Sequence, residues 1–219
     1  MGRLCVFDFD GTLADTLGDI AAAVNRALAE LGYAPHPLDA YRRMVGSGAD
    51  TLCERALPDG AKGDAPALLK LYKACYIEHC TERTRPYAGI PEALRALLRA
   101  DCALAVITNK PHEQLLRIWD AHFKEFPFAA LVGQQPGVPK KPQPDSLLTL
   151  MDQLGHTKAQ TVYIGDSDVD MLFARAAGVA GVGAAWGFRG RGELERAGAS
   201  YIADDPAGMA RCILAPAAI

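Results

Sequence analysis

Two aspartates one residue apart, Asp8 and Asp10, stand at the end of the apolar run Leu4, Cys5, Val6 and Phe7 in the stretch RLCVFDFDGTLADT, and a glycine follows them. A free aspartate titrates near ~3.9, so such a carboxylate is ionised at neutral pH unless its surroundings intervene. It can then act as a nucleophile, exchange protons or hold a hard cation. Three further short motifs supply related chemistry: TNK at 108–110, KPQP at 141–144 and GDSDVD at 165–170. Each alone has an ordinary structural use, because a strand-end aspartate can cap a helix, Thr108 can satisfy a backbone group and Lys141 can be solvated. All four motifs fall at the carboxyl ends of expected strands or in the loops after them, which is where ligands collect in open α/β sheets.

The elements that must position these residues are legible as patterns. An unbroken apolar run is the signature of a parallel strand buried on both faces. After the first run, similar segments are CALAVIT at 102–108, FAALVG at 128–133, TVYIGD at 161–166 and VAGVGAA at 179–185, with a shorter SYIAD at 200–204. Helical patterns lie between them: Pro91 can start one with Leu94, Leu97 and Leu98 on one face, and SLLTLMDQLG is stopped by Gly155. The alternation predicts βαβ units and a Rossmann-like parallel sheet flanked by helices, an α/β fold.

The interval from Thr16 to about Arg85 breaks the alternation, with several helical patterns and no convincing strand. Thr16 with Asp19 reads as an N-cap and capping box for a helix ending at Gly32. Leu68, Leu69, Tyr72, Cys75, Tyr76, His79 and Cys80 recur at helical spacing, which predicts a second long helix over 65–82 and reads as the core face of a helical subdomain. The expected division is therefore a core of residues 1–15 and 86–219 with an inserted all-helical cap domain at 16–85.

Composition narrows the partners. Of 219 residues half are hydrophobic and 22% charged, as in an ordinary globular protein, and the net charge of −3 gives no electrostatic reason to expect nucleic acid or an anionic membrane. The expected partner is a small molecule. No apolar stretch approaches the ~18 residues of a spanning helix and no signal-peptide pattern opens the chain, so a cytoplasmic location is expected. Six cysteines without a C-x-x-C pair read as buried free thiols. The glycines of GVGAAWG lack the spacing of a dinucleotide fingerprint.

Taken together and in order, Asp8-x-Asp10-x-Thr12, Thr108, Lys141 and Gly165-Asp166-x-x-x-Asp170 resemble the four motifs of the haloacid dehalogenase superfamily, and the resemblance extends over nearly the whole chain. The helical insertion after the first motif resembles that family's small helical (C1-type) cap. Within the superfamily, DGTLADT, VITNK, KPQPDSL and AAWGFRGRGELERAGASYIADDP are most similar to phosphoglycolate phosphatases and their close relatives.

The resemblance implies a phosphatase acting on a small phosphorylated metabolite, with Asp8 as nucleophile. Mg²⁺ would be held by Asp8, the Asp10 backbone carbonyl and Asp166. Thr108, Asn109 and Lys141 would bind the phosphoryl group, and Asp170 would position Lys141 or a metal-bound water. Asp10 would protonate the leaving oxygen and later deprotonate water. Relatives that displace halide need no general acid there, and the related transport ATPases carry lysine, so the aspartate favours phosphate monoesters. Lys141 is preferred to its neighbour Lys140 because it directly precedes Pro142. The loop RRMVGSGADTL at 42–52 stands where the family's specificity loop would be, so Arg43 or Ser47 could meet a substrate carboxylate. A phosphosugar mutase of the same fold is the alternative. A signalling receiver domain is disfavoured, because Asp8 lies on the first strand of a chain carrying a cap.

Overall fold

The computed structural model describes residues 2–215. After β1 (Leu4–Phe7) come a two-residue strand, β2 (Ala14–Asp15), and four α-helices: α1 (Leu17–Glu30), α2 (Leu38–Met44), α3 (Ala49–Ala56) and α4 (Ala65–His79). A second two-residue strand, β3 (Arg85–Pro86), returns the chain. From there helices and strands alternate through α5 (Ile90–Arg99), β4 (Ala103–Pro111), α6 (His112–His122), β5 (Ala130–Gln134), α7 (Asp145–Leu154), β6 (Thr161–Gly165), α8 (Asp168–Ala177), β7 (Ala180–Ala184), α9 (Arg191–Ala197), β8 (Tyr201–Ala203) and α10 (Pro206–Leu214).

Six strands form one parallel sheet in the order β5-β4-β1-β6-β7-β8. Each of the six apolar segments read from sequence contributes one of them. The chain leaves β1 to build β4 and β5 on one side and then returns to build β6 on the other. That reversal creates a crevice at the carboxyl ends of β4, β1 and β6, the place where a doubly wound sheet binds ligands. Alternation along β1 sends Leu4 and Val6 into one core with Tyr163, Phe173 and Leu147, while Cys5 and Phe7 join a second core on the other face. The second core continues into the inserted helices, where Tyr41, Leu68 and Tyr76 are fully buried.

Two local expectations are corrected. The insertion is flanked by an antiparallel pair in which Ala14 faces Pro86 and Asp15 faces Arg85, and strands of two residues are too short to show a period. Thr16 and Asp19 do not form a capping box. Thr16 Oγ1 donates instead to Asp10 Oδ1 at 2.8 Å. Asp19 accepts from the backbone N–H groups of Arg83 and Thr84 and from Thr84 Oγ1, all at 3.0 Å or less. Tertiary partners at Asp10 and in the segment just before β3 outcompete the local cap, and Leu17 N–H is taken by Asp15 at 3.2 Å. All six cysteines are free thiols, five of them buried. No helix among the described residues is long and apolar enough to cross a membrane.

Candidate active site

Asp8 sits one residue beyond β1, with its N–H donated to Ile164 O on β6 at 2.8 Å. The ladder thus carries the nucleophile candidate to within reach of the β6 loop. Asp8, Asp166 and Asp170 are all buried, and each presents a carboxylate oxygen within 4.8 Å of the others. Glycines make this approach possible. A Cβ on Gly11, whose φ is +81°, would lie 2.4 Å from Asp166 Oδ2, and one on Gly165 would lie 2.2 Å from the Asp170 carboxyl carbon.

Lys141 enters this cluster from the loop before α7. Its ammonium lies 2.7 Å from Asp170 Oδ1 and 2.9 Å from Asp8 Oδ1, and it donates to the Tyr163 hydroxyl at 2.9 Å. Tyr163 in turn donates to Ile107 O at 2.7 Å, which fixes the ring. The contact to Asp8 Oδ1 is close but off the line of a hydrogen bond, so that oxygen has no aligned donor. Asp170 also accepts from Ser167 N–H and Oγ through its other oxygen, at 3.0 and 2.7 Å. Both of its oxygens are therefore spent on orienting neighbours. Lys140, by contrast, points to the inserted helices and pairs with Asp50 on α3.

The electrostatics follow from this burial. Desolvation pushes the Asp8 carboxyl up to about 6 against the opposing pull of Lys141. Asp166 is raised well above its ordinary value, again chiefly by burial and then by Asp170 and Asp8. Burial opposes the Lys141 charge, but Asp170 and Asp8 outweigh it and raise its pKa. Three carboxyl groups thus crowd one ammonium, and a divalent cation would favour their ionised forms. The unaligned Asp8 oxygen and the all-oxygen donor set of Asp8 and Asp166 fit a hard cation.

Asp10 faces elsewhere. Its Oδ1 accepts from Thr16 Oγ1 and, at 2.9 Å, from Lys110 Nζ, which also reaches Oδ2 at 3.2 Å. Lys110 is buried and donates as well to Tyr76 OH on α4 at 2.8 Å, joining the first motif to the inserted helices. Asn109 donates to Lys141 O at 3.2 Å and to Gly46 O at 3.1 Å, and accepts from Lys141 N–H at 2.9 Å. Its amide here holds the Lys141 loop and the α2–α3 loop together.

A cleft of about 30 Å³ opens between these groups. Asp8, Asp10 and Thr108 line it from the core, with Gly46, Gly48 and Tyr72 from the insertion. The structure thus brings Asp8, Asp10, Thr108, Asn109, Lys141, Asp166 and Asp170 to one place. Arg43 and Ser47 are not among the residues lining the cleft. Ser47 Oγ accepts from Arg55 Nη2 at 3.1 Å, and Arg43 borders a separate arginine-rich groove with Arg42, Arg189 and Arg196. The residues that sequence reasoning passes over are Lys110, Tyr163, Tyr72, Tyr76 and Gln114. Period-two spacing in an extended segment gives a signal for one of them, since it turns Lys110 to the same side as Thr108. The aromatic stripe of α4 reads as core from periodicity alone, and its two tyrosines are indeed buried while also bordering this cleft or its lysine.

Known proteins resemble this chain in sequence and fold. Residues 5–184 match the family model described as haloacid dehalogenase-like hydrolase. The phosphoglycolate phosphatase of Pseudomonas putida is 38% identical over 209 residues, covering 93% of this chain and 76% of that protein. The phosphoglycolate phosphatase of Psychrobacter arcticus is 34% identical over 194 residues, covering 85% and 84%. Among solved structures, that of a predicted phosphoglycolate phosphatase from Haemophilus somnus 129PT superposes with a TM-score of 0.87 at 28% identity, covering 96% of this chain and 97% of that one. With its parallel α/β core and the carboxylate cluster at its switch point, the chain belongs to the haloacid dehalogenase-like hydrolases.

Proposed function

We propose that the protein is a Mg²⁺-dependent phosphatase that hydrolyses a small phosphate monoester, 2-phosphoglycolate or a close analogue, through an aspartyl-phosphate on Asp8. The observation that carries this reading is the Lys141 ammonium set between Asp8 and Asp170 beside a cleft lined by Asp8, Asp10 and Thr108. The relatives named phosphoglycolate phosphatase support the substrate class.

In the first step an Asp8 oxygen bonds to phosphorus while the bond from phosphorus to the ester oxygen breaks. Thr108 donates to a phosphoryl oxygen, and Lys141 offsets charge on both nucleophile and phosphoryl group. Asp10 delivers its proton to the departing oxygen, then removes one from the water that attacks phosphorus and frees Asp8. Asp8, the Asp10 backbone carbonyl and Asp166 would hold Mg²⁺, which when bound neutralises charge between nucleophile and phosphate. Asp170 acts through Lys141, whose ammonium it anchors.

The test is release of inorganic phosphate from 2-phosphoglycolate. Stoichiometric release that stops with EDTA and returns with Mg²⁺ is expected. Ca²⁺ should bind without supporting turnover, because it accepts more oxygen ligands than Mg²⁺ and would compete for the Asp8 oxygen that attacks. Transfer of phosphate between sugar positions without net release would favour the mutase instead. Full activity after exhaustive chelation would remove the metal.

A further inference from the structure

We infer that Lys110 and Gln114 form the subsite for the end of the substrate remote from phosphorus, and that this subsite takes a carboxylate. The inference rests on the phosphatase reading above and assigns the residues that choose its substrate. Gln114 lies in the first turn of α6, is 3% exposed and lines the same cleft as Asp8. Its Oε1 is buried without any hydrogen-bond partner. Buried amide oxygens are nearly always paired, so an unpaired one in the wall of a reactive cleft calls for a ligand.

Lys110 lines that wall too, four residues earlier, and supplies its positive charge. Its ammonium rests on Asp10 and on Tyr76 OH, with Nζ 4.6 Å from the centre of the Tyr76 ring. The cleft is narrow and its lining runs directly from Asp8 to Lys110 and Gln114, so what the ester carries beyond a phosphoryl group held at Asp8 meets this lining. Because the Gln114 amide is tied to nothing, it can turn end for end and offer N–H donors. An ammonium and an amide N–H together suit a carboxylate. Arg43 and Ser47 line no part of this cleft, so carboxylate recognition passes from α2 and the loop after it to β4 and α6.

The experiment compares kcat/KM for 2-phosphoglycolate and for ethyl phosphate, which replaces the carboxylate by a methyl group, in the parent and in Gln114→Glu. The parent should prefer the carboxylated ester on the order of 10²-fold. Gln114→Glu keeps the side-chain shape but sets a like charge against the ligand. It should cut the preference about tenfold, with the loss appearing as a higher KM toward the carboxylated ester. Circular dichroism checks the fold, and Gln114→Met serves for the same ratio if the glutamate variant does not fold. An unchanged ratio in the folded variant would overturn the subsite while leaving the phosphatase reading intact. A parent that hydrolyses both esters equally would overturn the carboxylate assignment alone. A parent that hydrolyses neither would overturn the phosphatase reading and the subsite with it.

Discussion

The Lys141 ammonium lies 2.9 Å from Asp8 Oδ1 and 2.7 Å from Asp170 Oδ1 in a region closed to solvent. Removing it leaves three neighbouring carboxylates with no cation. Lys141→Met should therefore lower kcat by about 10²- to 10³-fold. It should also destabilise the metal-free protein by about 3 kcal/mol near pH 8. The stability loss should shrink toward pH 5, as the stranded carboxylates take up protons. Arginine at 141 should not restore activity, because its planar fork does not reproduce a point charge shared among Asp8, Asp170 and Tyr163. Urea unfolding at both pH values, alongside steady-state kinetics, checks the set.

Burial of Asp8 makes a separate statement about stability. Its carboxyl is raised from 3.8 to about 6 in the folded protein, so the native state favours its protonated form. The stability this contributes is complete below about pH 4 and is lost as pH rises through about 6. Without a divalent cation, Asp8→Asn should then be more stable than the parent above pH 6, by up to about 3 kcal/mol. The two should converge below pH 4. Added Mg²⁺ should stabilise the parent more than the variant. Thermal unfolding of the metal-stripped proteins across this range reads the difference.

Much of the fold and the site is legible in the residues themselves, for physical reasons. Strands buried on both faces must be apolar throughout, so Leu4–Phe7 and Thr161–Gly165 stand out, and Asp8 and Asp166 are conspicuous as charges just past their ends. Gly155, with a φ of +69°, stops its helix where the sequence indicates. What stays hidden depends on distant partners. Thr16 and Asp19 have the right spacing for a local cap, yet Asp10 and the Thr84 segment claim them. Period-two spacing places Lys110 on the side of Thr108, but not what it holds, because its partner Tyr76 lies in another element, 34 residues away. Lys140 and Lys141 are adjacent in sequence and differ only in which side of the loop they leave.

Asn109 offers a test of that tertiary layer. Its amide joins the backbone of Lys141 to Gly46 across the two parts of the molecule. Asn109→Ala should cost about 1–3 kcal/mol of stability through the unpaired backbone groups it leaves. It should also lower kcat more than it raises KM, because Lys141 loses its fixed position. Asn109→Asp should restore only the bond from Lys141 N–H, since a carboxylate cannot donate to Gly46 O. Chemical denaturation and steady-state kinetics of the two variants distinguish these effects.

The central claim is that Asp8 bonds to phosphorus during turnover. Acid quenching of the parent enzyme in the first turnovers on 2-phosphoglycolate with Mg²⁺, followed by borohydride reduction, converts an acyl phosphate to the corresponding alcohol. Peptide mass spectrometry should find homoserine at position 8 and unmodified aspartate at position 10, and Asp8→Asn should give neither trapped product nor turnover. Homoserine at position 10, or rapid turnover with no modification at position 8, would contradict the account.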